Sequence, residues 1–174
     1  MAFPTFTDGQ ALPASDLNAI GLWLVKTQTI GNAVSSVTVS SAFSTTYDNY
    51  LITVTNATMS VDTNFSMSLG STATGYYGFL VYGSYAGSAV SGAGNNNTAF
   101  WSWAGGGSNC TAHIELKQPY LNLGTQIRSW IRYGTVYGQY VGLLDNTTSY
   151  TAFTITPASG TMTGGTISVY GYRK

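Results

Sequence analysis

The chain has 174 residues, a formal net charge of zero and only 7% charged side chains, while 44% of its residues are hydrophobic and 14% aromatic. That length supports one sizeable domain with its own core, and the neutrality leaves no basic field to hold nucleic-acid phosphates or an anionic bilayer surface. A single cysteine, Cys110, rules out an intrachain disulfide and a thiolate metal cluster.

The surface stock is Ser, Thr, Asn, Gly and Tyr in place of charge. Such a surface has little repulsion to keep copies apart, and a buried hydroxyl or amide costs far less than a buried ion. Either sister-subunit packing or an ordinary neutral domain follows from it. The opening Met1-Ala2-Phe3-Pro4-Thr5-Phe6-Thr7-Asp8 has no basic n-region, and no window reaches the roughly 20 apolar residues of a membrane span. Classical secretion and membrane insertion are therefore not expected.

Met1 to Pro13 reads as an extended arm with a turn at Asp8-Gly9, and Ser15 followed by Asp16 predicts a helix start. Leu17, Ile20 and Leu24 then fall at i, i+3 and i+7 with Trp23 beside them, a narrow stripe suited to one or two partner helices. A helix of about 12 residues is marginal alone, so this one must dock, either on copies of itself or on the chain's own domain. Residues 1–30 are expected to be an attachment and oligomerisation segment, and 31–174 a β-sandwich head.

From Ala33 onward the pattern has period two, broken by Gly, Asn and Ser clusters. Val37 and Val39 alternate with polar neighbours, Tyr50 to Thr55 follows, and Phe65, Met67 and Leu69 alternate with Asn64, Ser66 and Ser68. Further runs at Tyr76–Tyr85, Thr98–Ala104, Cys110–Gln118, Gln126–Val136, Tyr137–Leu143, Tyr150–Thr156 and Thr166–Tyr172 bring the count to about nine or ten strands without helices between them. The expected fold is all-β, a two-sheet jelly roll or related sandwich. Ala86–Asn97 and Gly105–Asn109 read as glycine-rich loops.

Catalytic chemistry is sparse. One His, one Cys, one Glu and five Asp supply no paired carboxylates, and Cys110 and His113, three apart on a strand, face opposite ways. Asp8, Asp16, Asp48, Asp62 and Asp145 sit at turns or a helix start, where a carboxylate accepts backbone N–H groups. No cofactor, metal or enzymatic activity is expected.

Two concentrations remain. Ala112, Ile114 and Leu116 alternate with His113, Glu115 and Lys117, while Ile127, Ile131 and Tyr133 alternate with Arg128, Trp130 and Arg132. If the two strands share a sheet, Glu115, Lys117, Arg128, Trp130 and Arg132 form one patch, either a subunit interface or a solvated face. The second concentration is aromatic: Tyr76, Tyr77, Phe79, Tyr82 and Tyr85, then Phe100, Trp101 and Trp103, where alternation puts Trp101 and Trp103 on the opposite face from Phe100, so that one set lies outside the core or is buried by another chain. Tyr82, Tyr85, Trp101 and Trp103 are the candidates for stacking on a host glycan or receptor, or for packing in the core or between subunits.

Phe43-Ser44-Thr45-Thr46-Tyr47-Asp48-Asn49-Tyr50-Leu51-Ile52-Thr53-Val54, the strand to Leu69, Gly75-Tyr76-Tyr77-Gly78, Glu115-Leu116-Lys117-Gln118-Pro119 and Gly164-Gly165-Thr166-Ile167-Ser168-Val169-Tyr170-Gly171-Tyr172 resemble jelly-roll domains of bacteriophage tail fibres and related virion proteins. Asp8-Gly9-Gln10-Ala11-Leu12-Pro13-Ala14-Ser15-Asp16-Leu17-Asn18 is similar to the start of phage fibre and tail proteins. The resemblance implies a virion component: a homotrimeric fibre whose arm joins other virion proteins and whose head meets the host surface, or a capsid decoration protein or head fibre. A carbohydrate-binding module is the reading from a different class.

Overall fold

A computed structural model describes residues 21–173, and every regular element among them is a strand. In chain order these are β1 (Leu22–Thr29), β2 (Val37–Val39), β3 (Asn49–Met59), β4 (Asn64–Leu69), β5 (Tyr76–Ser84), β6 (Val90–Thr98), β7 (Trp101–Gly106), β8 (Asn109–Lys117), β9 (Thr125–Tyr133), β10 (Val136–Leu144), β11 (Phe153–Pro157), β12 (Met162–Thr163) and β13 (Thr166–Tyr172). All named pairings are antiparallel.

A large sheet runs β1-β13-β3-β8-β9-β10-β5-β6, with β12 paired to the end of β3. A small sheet runs β2-β11-β4-β7 and is joined to the large one at Gly106–Thr111, between β7 and β8. The core is the space they enclose. Tyr50, Ile52, Ile114, Leu116, Ile127, Tyr140, Tyr76 and Leu80 enter it from the large sheet, and Val39, Phe65, Met67, Leu69, Trp101, Phe153 and Ile155 from the small one. Removing each such side chain from water is worth about 1.5–3 kcal/mol, which is why strict alternation in the sequence suffices to aim a strand.

Aromatic pairs bridge the layers. Tyr76 meets Trp101 edge-on at 5.0 Å between ring centroids, and Trp103 lies 5.9 Å from Tyr140. Phe43 joins Tyr50 at 4.8 Å to Phe153 at 5.7 Å. The buried tyrosines also use their hydroxyls to hold loops in place. Tyr50 accepts from the Ser44 N–H at 2.9 Å, Tyr76 from the Leu69 N–H at 2.7 Å, and Tyr150 shares a hydrogen bond of 2.7 Å with Thr72.

The amino-terminal region departs from expectation. Trp23 and Leu24 stand on β1, paired to Gly171 and Tyr170 of β13, and not on a helix. Residues 22–29 thus belong to the large sheet and not to a separate appendage, so the sheet begins ahead of the expected boundary after residue 30. The backbone pairing offered by β13 outweighs a weak helical stripe that contains Gly21. Leu17, Ile20 and the proposed helix start at Ser15 lie outside the described residues.

The segment 86–97, read as a loop, is mostly strand β6. Its glycines have a packing reason: the Phe79 ring lies over Gly92, where a Cβ would meet the ring's Cζ at 2.7 Å. The second expected loop shrinks to a turn at Gly107-Ser108 between β7 and β8, with Asp62 Oδ1 accepting the Ser108 N–H at 3.0 Å.

Candidate functional surface

Because side chains alternate, the large sheet has a second face turned away from the core, and its register can be followed across seven strands. One row runs Tyr77, Leu143, Gln126, Lys117, Asn49, Tyr172 and Leu22. The next runs Phe79, Val141, Arg128, Glu115, Leu51, Tyr170 and Leu24. A third carries Val81, Gln139, Trp130, His113, Thr53 and Ser168, and Tyr137 lies beside Arg132 beyond it.

Nine of the fourteen exposed large apolar side chains among the described residues lie on this face: Leu22, Leu24, Tyr77, Phe79, Val81, Trp130, Tyr137, Val141 and Leu143. Scattered single residues would need no explanation, but this concentration makes the face the main exposed apolar surface among the described residues. Three of the chain's six basic side chains, Lys117, Arg128 and Arg132, share it with the single Glu and the single His.

All five residues predicted as one patch are therefore brought together. Glu115 is the direct cross-strand partner of Arg128, and Trp130 sits opposite His113 and beside Arg132. Arg128 is fixed from the other side. With its amide turned toward the guanidinium, the Gln139 side-chain oxygen accepts from Arg128 Nε at 2.6 Å and Nη2 at 3.0 Å.

Three depressions open on the face. The first, of about 520 Å³, crosses β5, β10, β9 and β8 and is lined by Tyr77, Phe79, Val141, Leu143, Gln126, Arg128, Glu115 and Lys117. The second, of about 560 Å³, is bounded by His113, Trp130, Arg132, Tyr137 and Gln139. The third lies between Asn49, Glu115, Lys117 and Tyr172. Burial and the nearby Glu115 charge both push the Tyr172 hydroxyl above its ordinary pKa.

The aromatic candidates fare differently. Trp101 is fully buried against Tyr76 and has no surface to offer a glycan, which corrects its place in that set. Tyr82 and Trp103 are half-buried against the core. Tyr85 alone is well exposed, and its ring lies 6.1 Å from Tyr137. Alternation had separated Trp101 and Trp103 from Phe100 correctly, but it is Phe100 that stays outside.

Sequence reasoning placed Tyr77 and Phe79 of β5 in the aromatic concentration without choosing them as site residues, and it missed Val81 on β5 and Tyr137, Val141 and Leu143 on β10 as surface residues. The signal was present: Tyr76 to Tyr82 is apolar on both faces, and a strand apolar on both faces is covered twice or presents one face to a partner.

Among the described residues no three His, Cys, Asp or Glu side chains group as metal ligands, and no helix is long and apolar enough to cross a membrane. Cys110 is buried, and burial pushes its thiol up to about 11. His113, on the opposite side of β8, cannot reach it.

Compared with known proteins, the chain matches no family model, no curated protein and no solved structure.

Proposed function

We propose that this chain is a structural protein of a bacteriophage particle, a trimeric, tail-fibre-like receptor-binding component without enzymatic activity, that meets the host through the outer face of its large sheet. The carrying observation is the face itself, on which exposed aromatic and aliphatic side chains surround Arg128 and Trp130. Trp and Arg are the residue types that most often dominate binding energy at protein surfaces.

The strand order supports the jelly-roll part of this reading. β2-β11-β4-β7 faces the large sheet, and setting aside β1 and β13 at its edge and lifting out the β9–β10 hairpin leaves β3-β8-β5-β6, so that two four-strand sheets remain in Greek-key succession. Viral coat and lectin domains share that architecture, which indicates fold and not activity. The arm ahead of β1 is proposed to join other virion proteins.

A second reading, a capsid decoration protein or head fibre, is favoured by the breadth of the same face. Seven strands about 4.8 Å apart and rows about 6.8 Å apart span roughly 600 Å², three quarters of the about 800 Å² each partner contributes to a standard interface. In that case copies cover the face and the shell depends on them.

Purified full-length chain, sized by light scattering, is to be tested for blocking adsorption of the parent phage. A trimer that binds cells and competes with the particle is expected. A trimer that leaves adsorption untouched, while particles lacking the chain become fragile, would replace attachment with decoration.

A further inference from the structure

We propose that the groove crossing β5, β10, β9 and β8 binds a saccharide bearing a carboxylate. The inference deepens the attachment reading and rests on it. A volume of about 520 Å³ falls within the roughly 300–1,000 Å³ range of small-molecule sites.

The groove combines three kinds of wall. Tyr77 and Phe79 supply exposed rings against which the C–H face of a sugar can stack. Phe79 is not a loose ring, because it is seated over Gly92 of the neighbouring strand. The Gln126 amide and the Glu115 carboxylate, on the adjacent strands β9 and β8, can hydrogen-bond sugar hydroxyls.

The third wall selects charge. Gln139 holds Arg128 through Nε–H and one Nη2 hydrogen, which leaves the end-on edge of a fixed guanidinium, one hydrogen on each of Nη1 and Nη2, as the fork for a ligand. Lys117 stands one row away on β8. Two cations against one carboxylate give the groove a net positive charge on a molecule whose total is zero. A planar carboxylate matches the Arg fork, and a charge-assisted hydrogen bond is about twice as strong as a neutral one. A neutral sugar would leave that prepared fork without a matching acceptor. Gln139 acts here as a positioning residue.

The test uses full-length chain and a panel of hyaluronan, alginate, galacturonate and polysialate oligosaccharides, each beside its carboxyl-reduced neutral counterpart, by titration calorimetry at low salt. At least one acidic member is expected to bind tenfold or more tighter than its reduced form. Arg128→Gln should remove that preference, and Gln139→Leu should weaken the acidic ligand while leaving the neutral one unchanged; melting curves report that both variants fold. Equal binding of acidic and reduced forms, or unchanged selectivity in Arg128→Gln, overturns the assignment. Cell binding that survives Arg128→Gln while the panel fails also overturns it and leaves attachment standing; absence of cell binding by the unaltered chain sinks attachment itself.

Discussion

Tyr140 on β10 fills the space above Gly78 on β5, so that its hydroxyl occupies the place a Cβ at position 78 would take, and from there it donates to Asn95 Oδ1 at 2.7 Å. Asn95 in turn donates to Ser102 Oγ at 2.7 Å and accepts the Ser102 N–H at 3.1 Å. One buried side chain thus ties β6 and β10 of the large sheet to β7 of the small one.

Gly78→Ala should force that hydroxyl aside and cost about 1–3 kcal/mol, as overpacking does. Urea denaturation checks it. Gly87→Ala is the control, because nothing lies within 4 Å of a Cβ there and the loss should stay within about 0.5 kcal/mol.

Alkaline pH should destabilise the fold through its buried tyrosines. Burial raises Tyr76 to about 12 and pushes Tyr140 up as well, each above the ordinary value of 10.0. A folded-state pKa above the unfolded one means the contribution is intact below about pH 10 and is lost as pH climbs through the folded value. Melting temperature should therefore fall between pH 10 and 12, and Tyr76→Phe should show a shallower fall over the same window. An equally steep fall in the variant would place the sensitivity elsewhere.

Cys110 should behave as a masked thiol. With its pKa pushed up to about 11 and no exposed surface, it forms little thiolate at pH 8. Ellman's reagent should react with it only as fast as the chain opens, and at once in denaturant. Rapid labelling of folded protein would contradict the burial.

Two tryptophans should separate stability from surface function. Trp101→Ala is expected to cost about 3–5 kcal/mol, and Trp101→Phe much less, because the indole N–H has no acceptor to lose. Trp130→Ala, at 57% exposure, should change stability by no more than about 0.5 kcal/mol while weakening cell binding or trimer formation. Denaturation beside light scattering and a cell-binding assay distinguishes them.

How far these features were legible in the sequence depends on what aims each strand. Phe65, Met67 and Leu69 alternate against serines, and β4 forms where that pattern stands; the Glu115 and Arg128 strands likewise pair as their alternation suggests. β6 was invisible because Gly, Ser and Asn carry no β signal, and it is held by backbone bonds to β5 and by a ring that needs glycine beneath it. β1 was misread because Leu17, Ile20 and Leu24 imitate a helical stripe, whereas Leu22 and Leu24 outward with Trp23 and Val25 more buried fit a strand equally well. Only the partner β13, some 140 residues later, decides between the two.

That pairing sets how the domain is held. Leu22 lies opposite Tyr172, so the chain entering the sheet and the chain leaving it occupy the same corner, in the same row as Lys117, Gln126 and Tyr77 of the groove. Any mechanical load arriving through the segment before Gly21 enters the fold at that corner, through a strand paired to β13 from Leu22 to Thr29 with one bulge at Val25. A tag fused after Arg173 would hang beside the groove, whereas the turns at Tyr85 and Gly134, at the opposite end of the strands, are the places to attach a label without crowding it.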